Sequence, residues 1–176
     1  MVSNILQDLC TVIYCHVIVV YMFKKILVAI DGSDASLYAL DIAAGIALNN
    51  DAELTILSVA PYPPPMFTED ILPTYLPQYQ EDLRESYKRM LEKTDKDLKN
   101  KYPDLKTVPI VLEGKPAKLI VEVAKAREVD LIIVGNRGTG GIIDWMLGSI
   151  SQQVVNSCTV PVLVVKHQDY CEIKNT

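Results

Sequence analysis

The sequence predicts a single-domain α/β protein: an open, mostly parallel five-stranded sheet with helices on both faces. Three observations carry that expectation. Short runs that are apolar at nearly every position mark strands covered on both sides. Between them lie stretches whose apolar residues recur at helical spacing. The two kinds of segment alternate from about Met22 onward, with no internal repeat and no boundary to a second domain. The 176 residues suit one domain with a sizeable core.

Ile26 to Ile30 is the first strand. Leu37, Leu40, Ala44 and Ala47/Leu48 then recur at helical spacing, with Ser33 placed as the N-cap. Leu54 to Val59 is the second strand, and Val108 to Leu112 the third, where Pro109 argues for a sheet edge. Between these two, Leu83, Tyr87, Met90, Leu91 and Leu98 form an apolar stripe on a charge-rich helix from about Gln80 to Lys101. Pro116 suits a first helical position and is followed by Leu119, Ile120, Val123 and Ala124. Leu131 to Val134 is the fourth strand. Ser149-Ile150-Ser151-Gln152 reads as an S-x-x-Q capping box that starts the last helix, with Ser149 as the cap. Val162 to Val165 is the fifth strand. The connection from Ala60 to Gln80 carries six prolines, Pro61, Pro63, Pro64, Pro65, Pro73 and Pro77, and reads as a surface loop of polyproline character.

Composition narrows the function classes. Hydrophobic residues make up 49% and charged residues 22%, ordinary globular proportions. With a net charge of −5, no overall field draws in nucleic acid or an acidic membrane surface, so no nucleic-acid partner is expected. An anionic ligand must be gripped locally. Cys10, Cys15, Cys158 and Cys171 form no C-x-x-C, and His16 and His167 are the only histidines, which argues against a zinc site. Cys158, beside Val154, Val155 and Val160, reads as a small buried hydrophobe, and a reduced cytoplasmic setting fits.

Leu9 to Phe23 is apolar and uncharged but shorter than the roughly 18–20 residues of a spanning helix. It lacks the basic flank and the cleavage site of a secretory signal, and membrane attachment is disfavoured despite Lys24 and Lys25. The expected organisation is an appendage over 1–21, a functional domain over 22–168 and a polar tail over 169–176. For the appendage two readings stand: an upstream misassigned start, or an amphipathic or dimer-contacting extension.

The chemistry concentrates at two strand ends. Gly135-Asn136-Arg137-Gly138 follows the fourth strand, and after nine residues Gly148-Ser149 opens the last helix. Glycines allow a ligand to approach the backbone without a Cβ in the way. A helix start offers unpaired N–H groups and a positive dipole end, so the arrangement predicts a phosphate cradle. Asp31-Gly32-Ser33 closes the first strand, and open α/β sheets bind ligands beyond the carboxyl ends of their strands.

The glycine pattern resembles the G-x2-G-x9-G-[S/T] ATP-binding motif of the universal stress protein family. Lys24 to Ser33 resembles that family's opening strand and turn, and Val160 to Val165 its last strand, so the likeness spans about residues 22–166. The resemblance implies a Rossmann-like, adenine nucleotide alpha hydrolase-like sheet of strand order 3-2-1-4-5, with strands one and four adjacent. It also implies that the amides of Gly135, Gly138, Gly148 and Ser149, with the Ser149 hydroxyl, hold phosphates while Ile150 and Ser151 continue the helix start. Ala29 and Asp31 would line the adenosine side, Val59 would form an adenine wall, and Arg137 and Gly140 would order or cover the phosphates.

Asp31 has two readings, a turn residue and a ligand group. It cannot face the phosphates directly, because like charges about 4 Å apart repel by about 4 kcal/mol at an effective dielectric of 20. As a ligand group it accepts from ribose or base, or shares Mg²⁺ (or Mn²⁺) with the phosphates. Ser149 reads equally as a helix cap, and Arg137 as a solvated loop cation. No P-loop, no G-x-G-x-x-G after the first strand and no nucleophile–base pair occurs. The expected function is therefore an ATP-binding regulatory or stress-response module, dimerising through its last strand at the sheet edge. A slow Mg²⁺-dependent ATP hydrolase and a nucleotide-free scaffold of the same fold are the alternatives.

Overall fold

Among the described residues, three strands in the middle of the sheet hold most of the large fully buried side chains, and the helices are arranged around them. The structure is a computed structural model that describes residues 22–62, 75–136 and 147–166. The expectations for residues 1–21, for Pro63, Pro64, Pro65 and Pro73, for Arg137, Gly138 and Gly140, and for the tail over 169–176 fall outside the described residues.

Strands β1 (Lys25–Ile30), β2 (Glu53–Pro61), β3 (Lys106–Gly114), β4 (Leu131–Gly135) and β5 (Val162–Val165) form one sheet in the order β3-β2-β1-β4-β5. Every pairing is parallel. Helices α1 (Asp34–Asn50), α2 (Tyr75–Lys101), α3 (Pro116–Ala126) and α4 (Ser149–Ser157) make the connections. Pro109 sits on β3, an edge strand, opposite Ile56, so its missing N–H costs no central ladder bond.

Strand alternation divides the core in two. Ile26, Val28 and Ile30 point to one face with Leu54 and Ile56, where α1 and α2 cover them. Leu27, Leu57, Ile132 and Val134 point to the other, beneath α3 and α4. Ile26, Leu27 and Val28 are all fully buried, which is why β1 is apolar at successive positions. Each such side chain contributes about 1.5–3 kcal/mol through burial.

Three expectations need correction. On α1 the buried face is Ser36, Ala39, Leu40, Ala43, Ala44 and Ala47, whereas Leu37 and Leu48 lie on its exposed side. Small side chains let the helix axis come close to the sheet, so the inward row is alanine. Helix α2 begins at Tyr75, ahead of Gln80, with Pro77 inside its first turn, where a missing N–H breaks no helical bond. Cys158 is only partly buried, packed at the rim of the α3/α4 core, and desolvation holds its thiol above the usual range.

Helix α2 is fastened to the edge strand by a polar clasp. The buried Asp95 accepts from Thr107 Oγ1 at 2.6 Å and from Lys99 Nζ at 2.7 Å. Gly45 in α1, by contrast, has no atom beyond its own helical turns within 4 Å of where a Cβ would stand. Gly45→Ala should stabilise the fold by about 0.5–1 kcal/mol. That corresponds to a melting temperature higher by roughly 1–4 °C, and a lower one would show a requirement for glycine there.

Candidate functional site

The two sequence features at strand ends meet in space. Strands β1 and β4 are adjacent, with Ala29 opposite Val134, so Asp31-Gly32-Ser33 and Gly135-Asn136 emerge side by side. Beyond β1 the chain turns sharply through Gly32, whose φ of +84° favours glycine. The Asp31 carboxylate accepts from the Ser33 amide at 3.1 Å and from the Ser33 hydroxyl at 2.6 Å. Ser33 caps α1 as expected, its Oγ accepting from the Ser36 amide. Ser36 in turn donates to the Ser33 carbonyl at 2.9 Å and accepts from the Asp31 amide. Asp31 therefore has a turn role.

Gly135 is where packing dictates the residue. A Cβ there would stand 3.0 Å from the carbonyl carbon and oxygen of Ala35 and 3.1 Å from the Ser36 amide. Its carbonyl accepts from the buried Ser151 hydroxyl at 2.7 Å, which draws the start of α4 onto the end of β4. Asn136 extends this attachment in both directions. Its amide donates to the Val165 carbonyl at 2.8 Å, and its carbonyl accepts from the Gly148 amide at 2.8 Å.

Gly148, not Ser149, is the N-cap of α4, a correction to the capping-box reading. The Gly148 carbonyl receives the first helical bond, from the Gln152 amide at 2.9 Å, so Ser149 is already inside the helix. No side-chain bond caps this end. The amides of Ser149, Ile150 and Ser151 are the orphan donors of the first turn. Ser149 and Ile150 are exposed, and the helix presents its positive end there.

Ala29 and Val59 share the α3/α4 face of the sheet. Val59 is buried, but Ala29 is only partly so, in contrast to the fully buried Leu27 two residues earlier on the same strand and face. Helix α3 lies over β2 and β3 while α4 reaches β5, and the carboxyl end of β1 falls between them. A separate groove of about 380 Å³ runs between α1 and α2, lined by Leu37, Met90 and Leu98 among others, on the opposite face. Among the described residues no group of three or more His, Cys, Asp or Glu side chains could hold a metal ion.

Tyr87 of α2 is a neighbour of Asp31 that the sequence reading left in the apolar stripe. Burial, followed by the nearby Asp31 and Tyr79 charges, pushes its phenol above the ordinary value of 10.0. The unfolded chain then ionises first, so this contribution to stability is intact below about pH 10 and is lost as pH rises through the folded value. Tyr87→Phe should remove that part of the alkaline loss in denaturant titrations at pH 9–11, and an unchanged profile would contradict it.

The family model for universal stress proteins matches residues 22–166. The chain belongs to the universal stress protein family. Universal stress protein YxiE of Bacillus subtilis is 38% identical over 155 residues, an alignment covering 82% of this chain and all of that one. The solved universal stress protein UspA of Lactobacillus plantarum superposes with a TM-score of 0.69 at 28% identity, over 81% of this chain and 97% of its own. A family member crystallised in complex with cAMP gives a TM-score of 0.57 at 26% identity, over 84% and 99% of the two chains. The five-stranded parallel sheet in the order 3-2-1-4-5 is that of these universal stress protein structures.

Of the expected site residues, Ala29, Asp31, Val59, Gly135, Gly148, Ser149, Ile150 and Ser151 are all at or near the carboxyl end of the sheet. Ser151 turns its hydroxyl inward to Gly135. Sequence reasoning passed over Asn136 and Ser36. The signal for Asn136 was its place directly after an unbroken apolar strand, where a side chain is still within the buried layer.

Proposed function

We propose that this universal stress protein binds ATP at the carboxyl end of the sheet and acts as a nucleotide-dependent regulatory module of the stress response. One observation carries the reading: the uncapped, exposed first turn of α4 is bonded directly to the end of β4, beside β1. Three orphan amides and a positive helix end suit a polyphosphate. Each hydrogen bond to a charged oxygen is worth about 1.5–3 kcal/mol, so a few suffice for micromolar affinity. The relative crystallised with cAMP supports an adenine nucleotide as ligand class.

In this proposal Ser149, Ile150 and Ser151 offer their amides to the phosphates, joined by Gly135, Arg137, Gly138 and Gly140. The Gly148 amide, expected among these donors, is instead spent on the Asn136 carbonyl, and Gly148 serves as the cap that leaves the next three amides open. Ala29 and Val59 form the apolar side for the base. Asp31 holds ribose or shares Mg²⁺ with the phosphates. Titration calorimetry with ATP and Mg²⁺ is the test. A micromolar Kd with a raised melting temperature is expected, and no heat at saturating nucleotide would end the proposal.

We further propose a cytoplasmic protein whose functional unit is residues 22–168, working as a homodimer. Among the described residues nothing pairs with the outer side of β5, and Leu163 on it is 37% exposed. An apolar edge of this kind is hazardous unless covered, and a second copy related by a twofold axis would cover it. Light scattering at micromolar concentration should give twice the chain mass. A monomer there would exclude the dimer.

A further inference from the structure

Asn136 is one of few polar residues in the core, 6% exposed. Both of its main-chain groups are committed, the amide to Val165 and the carbonyl to Gly148. Its side-chain carboxamide has no hydrogen-bond partner among the described residues. Buried carboxamides are nearly always satisfied, so this one calls for a partner. Its position suggests which. Gly135 presents its Cα to the first turn of α1, and strand alternation turns the next residue toward the α4 side. There Asn136 touches the N-cap of an uncapped helix whose first-turn amides are exposed.

We propose that the Asn136 carboxamide is a ligand group that completes the anion site at the start of α4, donating from Nδ2 to a phosphoryl oxygen of the bound nucleotide. This rests on the nucleotide reading above and adds a side-chain donor to its main-chain ones. The carboxamide offers donors and an acceptor, and at the positive end of a helix the occupant is an anion, so the donor half is the one used. The residue selects for phosphate rather than for base. It is also indifferent to which nucleotide carries the phosphate.

The test compares the unaltered protein with Asn136→Asp, which keeps the shape and replaces the donor by a charged acceptor. Calorimetry is run with ATP, with inorganic tripolyphosphate and with adenosine, alongside melting of the free proteins. ATP and tripolyphosphate should each bind about 10- to 100-fold more weakly to the variant, with adenosine affinity little changed. Equal weakening of all three ligands, or unchanged ATP affinity, overturns the proposal. Should Asn136→Asp fail to fold, the side-chain ¹⁵N–¹H pair of Asn136 in the unaltered protein decides. It should shift and exchange more slowly with ATP, and an unmoved pair in the saturated protein overturns the assignment. Failure of the unaltered protein to bind ATP at all is a different result, which removes the nucleotide reading itself.

Discussion

Gly135→Val should lower the melting temperature by about 6–12 °C, taking the upper end of the 1–3 kcal/mol typical of overpacked sites and 2–4 °C per kcal/mol for a chain of this size. The atoms a new side chain would strike are the main chain of Ala35 and Ser36. No flexible side-chain tip can swing aside there, so α1 must move. Moving it disturbs the turn in which Asp31, Ser33 and Ser36 bond to one another. Thermal melts followed by circular dichroism check this, and a variant melting with the unaltered protein would show that α1 is not seated on β4 as described. The result also bears on site mapping. Loss of nucleotide binding in a Gly135 variant reports a displaced helix before it reports a lost phosphate contact.

Gly148→Asp should move stability and binding in opposite directions. Gly148 caps α4 with φ −59° and ψ 149°, a conformation open to any residue. Aspartate is a better N-cap than glycine by a few tenths of a kcal/mol, and its charge at the helix start adds about 0.3–1 kcal/mol. The same charge beside a bound polyphosphate costs about 4 kcal/mol at 4 Å and an effective dielectric of 20. ATP should therefore bind on the order of a hundredfold or more weakly, to a protein that melts slightly higher. Calorimetry and melting measured on one preparation separate the two effects. Unchanged affinity would place the phosphates away from α4.

Much of the fold was legible because β1, β2 and β4 are buried on both faces, and continuous apolar runs such as Ile26 to Ile30 leave a clear trace. Pro109 announced its edge for a main-chain reason that no packing can override. The inward row of α1 was harder. Leu37 and Leu48 dominate any hydrophobic pattern, yet Ala43, Ala44 and Ala47 are what the sheet touches, because closeness selects for small side chains. Pro77 hid the first turn of α2, since proline reads as a loop until a helix start is known to tolerate it. At the candidate site the glycines stood out, but one of them, Gly135, is explained first by helix packing. The Ser149 capping box failed because the Gly148 carbonyl takes the first helical bond. Asn136 had a signal in its place at the end of an apolar strand, but asparagine among glycines looks like an ordinary turn.

The double attachment of Asn136, to Val165 on one side and Gly148 on the other, also makes a fixed doorway. Chain entering at residue 137 and leaving at 147 does so between two points already held to each other by main-chain bonds. β5 and the start of α4 are thus tied to the end of β4 by bonds that do not pass through the intervening chain, and Asn136 is the residue those bonds share.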